Sequence, residues 1–322
     1  GSWGTALAVL LAGNGHDVTL WGRNEQQMAE MQNARYNQRY LPETRFPDSL
    51  TASSDIHHTV SKADEVLLVV PSAAISQIID SIKPSLNNKT KLAIASKGFE
   101  PNHLKLLHEV VQEKLGPQSV SCIISGPTFA KEVAKGLPTA MTVASKDQDF
   151  ARDFAGYLSN DHFRAYTSTD VIGVEVGGAI KNVMAIAAGI SDGLGFGANS
   201  RAALITRGLA EITRLGTFLG GKTETFMGLA GLGDLVLTCT DNQSRNRRVG
   251  LALAQGKALD DILKELGQVA EGVFTTQKVF QLSQKHNIEM PIAEQVYEVI
   301  YNNKSPKLAV ADLLQREIKS EI

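Results

Sequence analysis

The sequence predicts an α/β protein with two domains: an N-terminal, doubly wound sheet domain and an all-α C-terminal domain. Two observations predict this division. Up to about residue 170, short apolar and β-branched runs alternate with amphipathic helical segments, as in a doubly wound sheet. From Val171 onward, the helical pattern continues almost without interruption. We therefore expect one domain over residues 1–170 and a second over residues 171–322.

The composition is that of an ordinary globular protein. The chain has 322 residues, a net charge of −2 and 43% hydrophobic residues, which fits about two domains with a large core. The near-neutral charge gives no general attraction to nucleic acid or membrane surfaces. We expect no membrane span, because the apolar runs are broken by charge or glycine, and we see no signal peptide. Cys122 and Cys239 lack metal-type spacing and indicate buried thiols in a reducing compartment.

The first residues, GSWGTALA, look like the second half of a dinucleotide-binding glycine turn. Gly1 and Gly4 occupy the second and third glycine positions of a G-x-G-x-x-G turn, and we expect the first glycine and its strand to precede the numbered sequence. In such a turn, the backbone approaches a pyrophosphate and the following helix points its amino terminus at the anion. A β-rich run over residues 17–21 follows the helix, which favours a Rossmann-type domain.

Arg23 follows this β-rich run, at the position that usually contacts the adenosine ribose. An acidic residue there favours NAD, whereas an arginine can accept the 2′-phosphate of NADP. Arg23 therefore favours NADPH as the cofactor. The alternative is a solvated arginine in a turn.

Three residues follow predicted buried strands, at the edge where an open parallel sheet binds ligands. Lys97 follows the strand predicted over residues 91–96, and Gly126 and Thr128 follow the strand predicted over residues 119–125. Position alone does not distinguish Lys97 from a solvated loop lysine. Thr128 could instead cap the next helix.

Lys181 stands out because it lies in a predicted helix of small and apolar residues. Its neighbours at helical spacing are too short to hold it out toward water, and a buried ammonium needs a compensating partner. Asp234, an isolated carboxylate in GLAGLGDLVLTCT, is the candidate partner. The alternatives are a lysine at a helix edge and an aspartate that caps a helix.

The segment TDNQSRNRRV, residues 240–249, predicts an anion site. A helix is expected to start near Arg245, so Ser244, Arg245 and Asn246 would combine a hydroxyl, a guanidinium and an amide with free backbone N–H groups. This set suits a phosphate dianion. The alternative is a solvated basic turn, above all for Arg247 and Arg248. A nucleic-acid surface would need a wider basic patch.

These segments, in order along nearly the whole chain, resemble the NAD(P)-dependent glycerol-3-phosphate dehydrogenases of bacteria. The segments that carry the resemblance are GSWGTALA, SKGFE, SGPTFAKEV, GGAIKNVMAIAAGISDGLGFGANSRAALITRGLAE, GLAGLGDLVLTCT and NQSRNRR. The resemblance implies reversible hydride transfer from NAD(P)H to dihydroxyacetone phosphate, giving sn-glycerol 3-phosphate for glycerophospholipid synthesis. It also implies a cytoplasmic homodimer.

The resemblance assigns roles to individual residues. Lys181 resembles the catalytic lysine that transfers the proton; we expect Asp234 to orient it and Lys97 to add positive potential. The residues implied in substrate binding are Lys97, Gly126, Thr128, Lys181, Asp234, Ser244, Arg245 and Asn246. Besides Gly1 and Gly4 of the glycine turn, those implied in nucleotide binding are Ser2, Trp3, Arg23, Tyr40, Lys97, Ala130, Arg245, Val269 and Glu271. No metal is expected.

Two other functions are compatible with the same residues. One is a related two-domain dehydrogenase that acts on a sugar acid or a keto acid. The other is a non-catalytic NAD(P) sensor with the same fold. The basic cluster at residues 244–248 favours a phosphorylated ligand over the first alternative, and Lys181 with Asp234 argues against the second.

Overall fold

The computed structural model describes residues 1–87, 89–101, 104–318 and 320. The chain divides into two compact units, Gly1–Glu100 with Lys105–Glu175, and Pro101–Leu104 with Val176–Ile322. The division falls inside the long helix Val171–Gly193. The predicted boundary after residue 170 coincides with the start of that helix, because the sequence pattern changes where the strands end.

The first unit alternates strands and helices. In chain order its elements are α1 (Ser2–Gly13), β1 (Val18–Trp21), α2 (Glu25–Ala34), β2 (Tyr36–Asn37), β3 (Leu41–Arg45), β4 (Leu50–Ser53), α3 (Ile56–Ser61), β5 (Glu65–Leu68), α4 (Ile75–Ile82), β6 (Lys91–Ile94), α5 (Leu107–Leu115), β7 (Ser121–Ser125), α6 (Ala130–Ala134), β8 (Thr139–Ser145), α7 (Gln148–Leu158) and β9 (Phe163–Ser168). The predicted strands are observed, and their ends differ from the predicted ends by at most two residues, as is usual for element boundaries.

Five of these strands form the principal sheet in the order β5-β6-β7-β8-β9. Neighbouring strands are parallel except for the antiparallel pair β7–β8. β1 and β4 form a separate two-stranded parallel sheet. With helices between the parallel strands, the predicted doubly wound α/β fold is confirmed.

The sheet is buried on both faces, which explains the continuous apolar runs of its strands. On β7, Cys122 and Ile124 belong to a core cluster that includes Phe150 and Phe154 of α7. Ile123, between them, points to the opposite face and is also buried. A buried parallel sheet gives rigid support to the loops at its carboxyl edge.

The strand and first glycine expected before Gly1 lie outside the sequence and stay a prediction. Among the described residues, β1 pairs only with β4, and β5 pairs on one side with β6. In the doubly wound strand order, the expected strand belongs between β1 and β5. That is the place where the two parallel sheets are separate.

The polar segment over residues 33–50, which reads as a surface loop, contains the short antiparallel pair β2–β3. The pair is held against the core by two buried side chains. Leu41 is buried, and Asn37 donates from Nδ2 to Thr5 Oγ1 at 2.8 Å. The polar, proline-containing pattern concealed these two inward-facing residues.

The second unit is all-helical over its described residues. Its elements are the greater part of α8 (Val171–Gly193), then α9 (Ala198–Phe218), α10 (Thr223–Phe226), a π-helical segment (Leu229–Gly233), α11 (Asp234–Thr240), α12 (Arg245–Ala254), α13 (Leu259–Leu266), α14 (Glu271–His286), α15 (Pro291–Tyr301) and α16 (Pro306–Leu314). The predicted all-α C-terminal domain is confirmed. The sequence pattern predicts a helix over residues 223–229, but α10 ends at Phe226. The chain then folds tightly at Gly231, where a Cβ would lie 2.1 Å from Phe226 O.

Among the described residues, α8 is the helix that bears on the expectation of no membrane span. This helix has 23 residues and is long and apolar enough by length and composition. However, 94% of its apolar window is buried inside the protein. An apolar helix surrounded by protein on all sides is the central helix of a core.

Candidate active site

The ammonium of Lys181 is buried in the second unit and held by side chains of α11. Lys181 is 7% exposed and Asp234 is 1% exposed. Lys181 Nζ donates to Asp234 Oδ1 and, at 2.7 Å, to Thr238 Oγ1. The predicted contact between Lys181 and Asp234 is therefore observed, and the alternative of a solvated lysine at a helix edge is wrong.

Glycine at position 177 lets the π-helical segment that precedes α11 approach α8 closely enough for this contact. A Cβ on Gly177 would lie 2.7 Å from Ala230 O. Lys181 and Asp234 lie four residues after Gly177 and Ala230, respectively. Four residues make about one helical turn. The Gly177–Ala230 contact therefore brings Lys181 and Asp234 together one turn further along.

Asp234 does not act as the side-chain cap of α11, which is the alternative that the sequence left open. Gly233 is the N-cap, and Asp234 is the first residue of the helix. Its carboxylate contacts the Lys181 ammonium and lies at the positive end of the helix dipole. Both interactions stabilise a negative charge that is otherwise costly to bury.

Thr238 is a member of this site that sequence reasoning missed. Its Oγ1 accepts from Lys181 Nζ and donates to Asp234 O at 2.6 Å. The available signal was its spacing, because a residue four positions after Asp234 lies on the same helix face. Thr238 therefore fixes the ammonium from a second direction.

The two cysteines are free and buried, as predicted. Cys239, next to Thr238, has its pKa raised to about 12 by burial. Burial also raises the pKa of Cys122. Because the thiolate is the reactive form, both thiols are unreactive at neutral pH.

The predicted anion turn begins α12 at Arg245, as expected. Ser244 is the N-cap, and its Oγ accepts from Arg247 N at 3.2 Å. Asn246 turns inward: its Nδ2 donates to Asn182 Oδ1 at 2.8 Å, and its Oδ1 accepts from Gly272 N at 3.0 Å. The turn is therefore tied to the residue that follows Lys181.

Arg247 departs from the sequence interpretation. It was grouped with Arg248 as part of a solvated basic turn, and Arg248 is indeed exposed. Arg247 is instead 7% exposed, and its Nη2 lies 2.8 Å from Asp192 Oδ2. The two residues are neighbours in α12, and the helix turns one inward and the other outward.

In the first unit, Lys97, Gly126 and Thr128 come together at the carboxyl ends of β6 and β7. Gly126 O accepts from Lys97 Nζ at 3.3 Å and from Thr128 Oγ1 at 3.1 Å. A Cβ on Gly126 would lie 2.8 Å from Met141 Cα, so glycine is needed there. Phe129, not Thr128, is the N-cap of α6, which starts at Ala130.

The amino terminus of α1 has the features of an anion site. Gly1 is the N-cap without a side-chain cap, and the first turn contains no acidic residue. A Cβ on Gly1 would meet nothing within 4 Å. Trp3 Nε1 is buried without a hydrogen-bond partner among the described residues. These residues fit a nucleotide whose pyrophosphate lies at the helix start.

Gly4 does not meet the steric demand expected from the glycine turn. A Cβ there would lie 3.5 Å from Val69 Cβ, which is an ordinary contact. Among the described residues, an alanine at position 4 is therefore tolerated.

The remaining predicted nucleotide contacts are distributed over both units. Arg23 is exposed just after β1, and Tyr40 is partly buried between β2 and β3. In the second unit, Val269 is 40% exposed and Glu271 begins α14. Within the described ranges, we find no group of three or more His, Cys, Asp or Glu that could hold a metal ion.

A dinucleotide-type α/β unit and a helical unit with a buried, carboxylate-bound lysine define the class of nicotinamide-dependent dehydrogenases. Comparisons with known proteins identify the family. Residues 1–151 match the family described as NAD-dependent glycerol-3-phosphate dehydrogenase N-terminus, and residues 170–311 match the corresponding C-terminus. The chain belongs to the NAD-dependent glycerol-3-phosphate dehydrogenase family.

Curated relatives and solved structures agree with this family. The chain is 54% identical to the glycerol-3-phosphate dehydrogenase (NAD(P)+) of Pseudoalteromonas translucida and 52% identical to that of Colwellia psychrerythraea, in each case over 100% of this chain and 96% of the relative. The crystal structure of glycerol-3-phosphate dehydrogenase from Coxiella burnetii is similar with a TM-score of 0.95 and 49% identity, covering 98% of this chain and 97% of that one.

Proposed function

We propose that this chain catalyses reversible hydride transfer between NAD(P)H and dihydroxyacetone phosphate, giving sn-glycerol 3-phosphate for glycerophospholipid synthesis. The observation that carries the proposal is the buried Lys181, held by Asp234 and Thr238, in a member of this dehydrogenase family. The names of the bacterial relatives state the same activity and cofactor.

Lys181 is the proton donor in the direction of ketone reduction. As hydride adds to the carbonyl carbon, negative charge develops on the oxygen, and a positioned ammonium stabilises that charge and donates the proton. In the reverse direction, neutral Lys181 accepts the proton from the alcohol. Asp234 and Thr238 hold Nζ in place, so little reorganisation is needed during the reaction.

Ser244 and Arg245 bind the substrate phosphate. The amino terminus of α12 offers backbone N–H groups, and a guanidinium suits the oxygens of a phosphate dianion. Asn246 contributes mainly by holding the turn, since its amide oxygen and nitrogen contact Gly272 and Asn182. In the first unit, Lys97 supplies positive charge and Gly126 and Thr128 line the sheet edge beside it.

Gly1, Ser2, Trp3 and Gly4 would hold the pyrophosphate of the cofactor at the start of α1. When bound, the nicotinamide supplies or accepts the hydride. Arg23 would contact the adenosine end, where its charge favours a 2′-phosphate. The further predicted contacts are Tyr40, Lys97, Ala130, Arg245, Val269 and Glu271.

We also propose that the enzyme is a cytoplasmic homodimer, as the family resemblance implies. Size-exclusion chromatography with light scattering measures the mass in solution directly. A mass of one chain across the working concentration range would contradict the dimer.

A spectrophotometric assay of reduced nicotinamide tests the reaction. We expect oxidation of NADPH that depends on dihydroxyacetone phosphate, with a slower rate for NADH if Arg23 reads the 2′-phosphate. Dihydroxyacetone, which lacks the phosphate, should react with a much lower kcat/KM. Cofactor binding without turnover would favour the sensor, and turnover of a keto acid or sugar acid alone would favour the related dehydrogenase.

A further inference from the structure

A buried ionic cluster centred on Asp192 of α8 has no role in the reaction described above. Arg247 Nη2 lies 2.8 Å from Asp192 Oδ2, and Arg201 Nε lies 3.0 and 2.9 Å from the two carboxylate oxygens. The side chains of Asp192 and Arg247 are 7% and 8% exposed, whereas that of Arg201 is 32% exposed. The buried part of the cluster is therefore the pair Asp192–Arg247.

Arg247 depends on Asp192 to compensate its charge. Its Nε and Nη1 atoms are buried and have no hydrogen-bond partner within the part of the chain that the structure describes. A buried charge that loses its partner is strongly unfavourable. Without Asp192, the guanidinium is therefore expected to move toward water and to pull the first turn of α12 with it.

The direction of Arg247 determines the direction of Arg245. Successive residues of a helix are rotated by about 100°, so two positions along the chain place side chains on nearly opposite sides. Arg247 faces inward to α8, and Arg245 is accordingly half-exposed. Arg247 N also donates to Ser244 Oγ at 3.2 Å. The position of Arg247 therefore fixes the orientation of the Ser244 and Arg245 side chains.

Glycines bring α8 and α12 into backbone contact along one face of each helix. A Cβ on Gly189 would lie 2.1 Å from Arg247 O, and a Cβ on Gly250 would lie 2.0 Å from Ile186 O. Only glycine fits at these two contacts, so they set which faces of the two helices meet. The Asp192–Arg247 pair adds a side-chain contact between the same helices at the first turn of α12.

We propose that Asp192 is a positioning residue for the phosphate subsite at Ser244 and Arg245. It acts through Arg247, by fixing the first turn of α12 against α8, and it does not touch the substrate. The inference rests on the proposed function, because it names what holds that function's phosphate site.

The substitution Asp192→Asn tests this role, because it keeps the size of the side chain and removes its charge. We expect the KM for dihydroxyacetone phosphate to rise roughly 10- to 100-fold with kcat changed less than about threefold, since a displaced group costs binding. For dihydroxyacetone, kcat/KM should change by less than about threefold. The matched control Arg201→Gln leaves the buried pair intact and should keep the wild-type KM.

An unchanged KM in folded Asp192→Asn would overturn the proposal, as would an equal loss of kcat/KM for both ketones. If circular dichroism shows that Asp192→Asn does not fold, Asp192→Glu replaces it. The longer carboxylate keeps the charge and shifts the guanidinium, and we expect a smaller KM increase with the same dependence on the phosphate. Failure of the wild-type enzyme to use dihydroxyacetone phosphate would instead refute the proposed function.

Discussion

A lysine among small residues was the most informative single residue in the sequence, because nothing near it along the helix could keep it in water. The structure places Lys181 in contact with Asp234, which lies 53 residues later in the chain. The carboxylate could be named in advance because it is isolated in an apolar run. Thr238 could not, since threonines on helices usually bond to their own backbone, and Arg247 could not, since its partner is distant in sequence.

Thr238→Val should lower turnover without unfolding the protein. Valine has the same shape but cannot accept from Lys181 Nζ. Without this hydrogen bond the ammonium is less well positioned for proton transfer, so kcat for dihydroxyacetone phosphate should fall by roughly 10- to 100-fold. Steady-state kinetics measures the loss.

Thr240→Val is the matched control for this substitution. Thr240 lies on the same helix and donates to Val236 O, four residues earlier, but it is exposed. We expect wild-type kinetics. An equal loss in both variants would show that the effect comes from the helix and not from the ammonium.

Helices in the second unit are placed by close backbone contacts at glycine. The sequence predicted most of the helices, but it could not say which glycines face another helix. Gly177 lets α8 contact the π-helical segment at Ala230, and the ion pair at Lys181 follows from that approach. Gly231 lets the same segment fold back on Phe226. Contacts of this kind depend on tertiary structure, so periodicity does not reveal them.

Gly177→Ala should therefore damage the site although it touches no reacting group. The added methyl would lie 2.7 Å from Ala230 O and must push that segment away. Overpacking of this kind typically costs about 1–3 kcal/mol of stability, and kcat should fall with it. Gly156→Ala in α7, where a Cβ meets nothing within 4 Å, should be neutral or slightly stabilising. Thermal unfolding and kinetics of the two variants provide the comparison.

The amino terminus of α15 is capped by a carboxylate from another helix. Glu211 of α9 accepts from Ile292 N at 2.7 Å and from Ala293 N at 3.1 Å. Its pKa is raised to about 7, chiefly by burial, against the lowering effect of these two backbone donors. A carboxyl group whose pKa is raised on folding stabilises the fold most when protonated. This contribution is fully present below about pH 4.5 and is lost as the pH rises through about 7.

Stability should therefore fall between pH 5 and pH 8 by an amount on the order of 3 kcal/mol from this group. Glu211→Gln is neutral throughout and should lack this part of the slope. Denaturant unfolding of both proteins at several pH values measures it. Parallel pH profiles for the two proteins would refute the assignment. Glu294 is an exposed carboxylate in the first turn of α15, so Glu294→Gln controls for simple loss of charge.

Across the whole molecule, the change in pattern near residue 170 was enough to predict the fold class. Alternating buried strands give the α/β unit, and uninterrupted helical periodicity gives the helical one. The pairing of strands at residues 36–45 was misjudged from the sequence. The polar residues there suggested a surface loop, whereas the buried side chains of Asn37 and Leu41 hold the pair against the core.

The most direct test of the account is the turnover of Lys181→Ala with dihydroxyacetone phosphate and reduced nicotinamide, beside the exposed control Lys285→Ala. We predict a loss of roughly 10²- to 10⁴-fold in kcat for Lys181→Ala, the range for a positioned acid–base group. NAD(P)H binding by fluorescence titration should be unchanged, and the control should match the wild type. Near-wild-type turnover in Lys181→Ala, with unchanged substrate affinity, would show that another group transfers the proton.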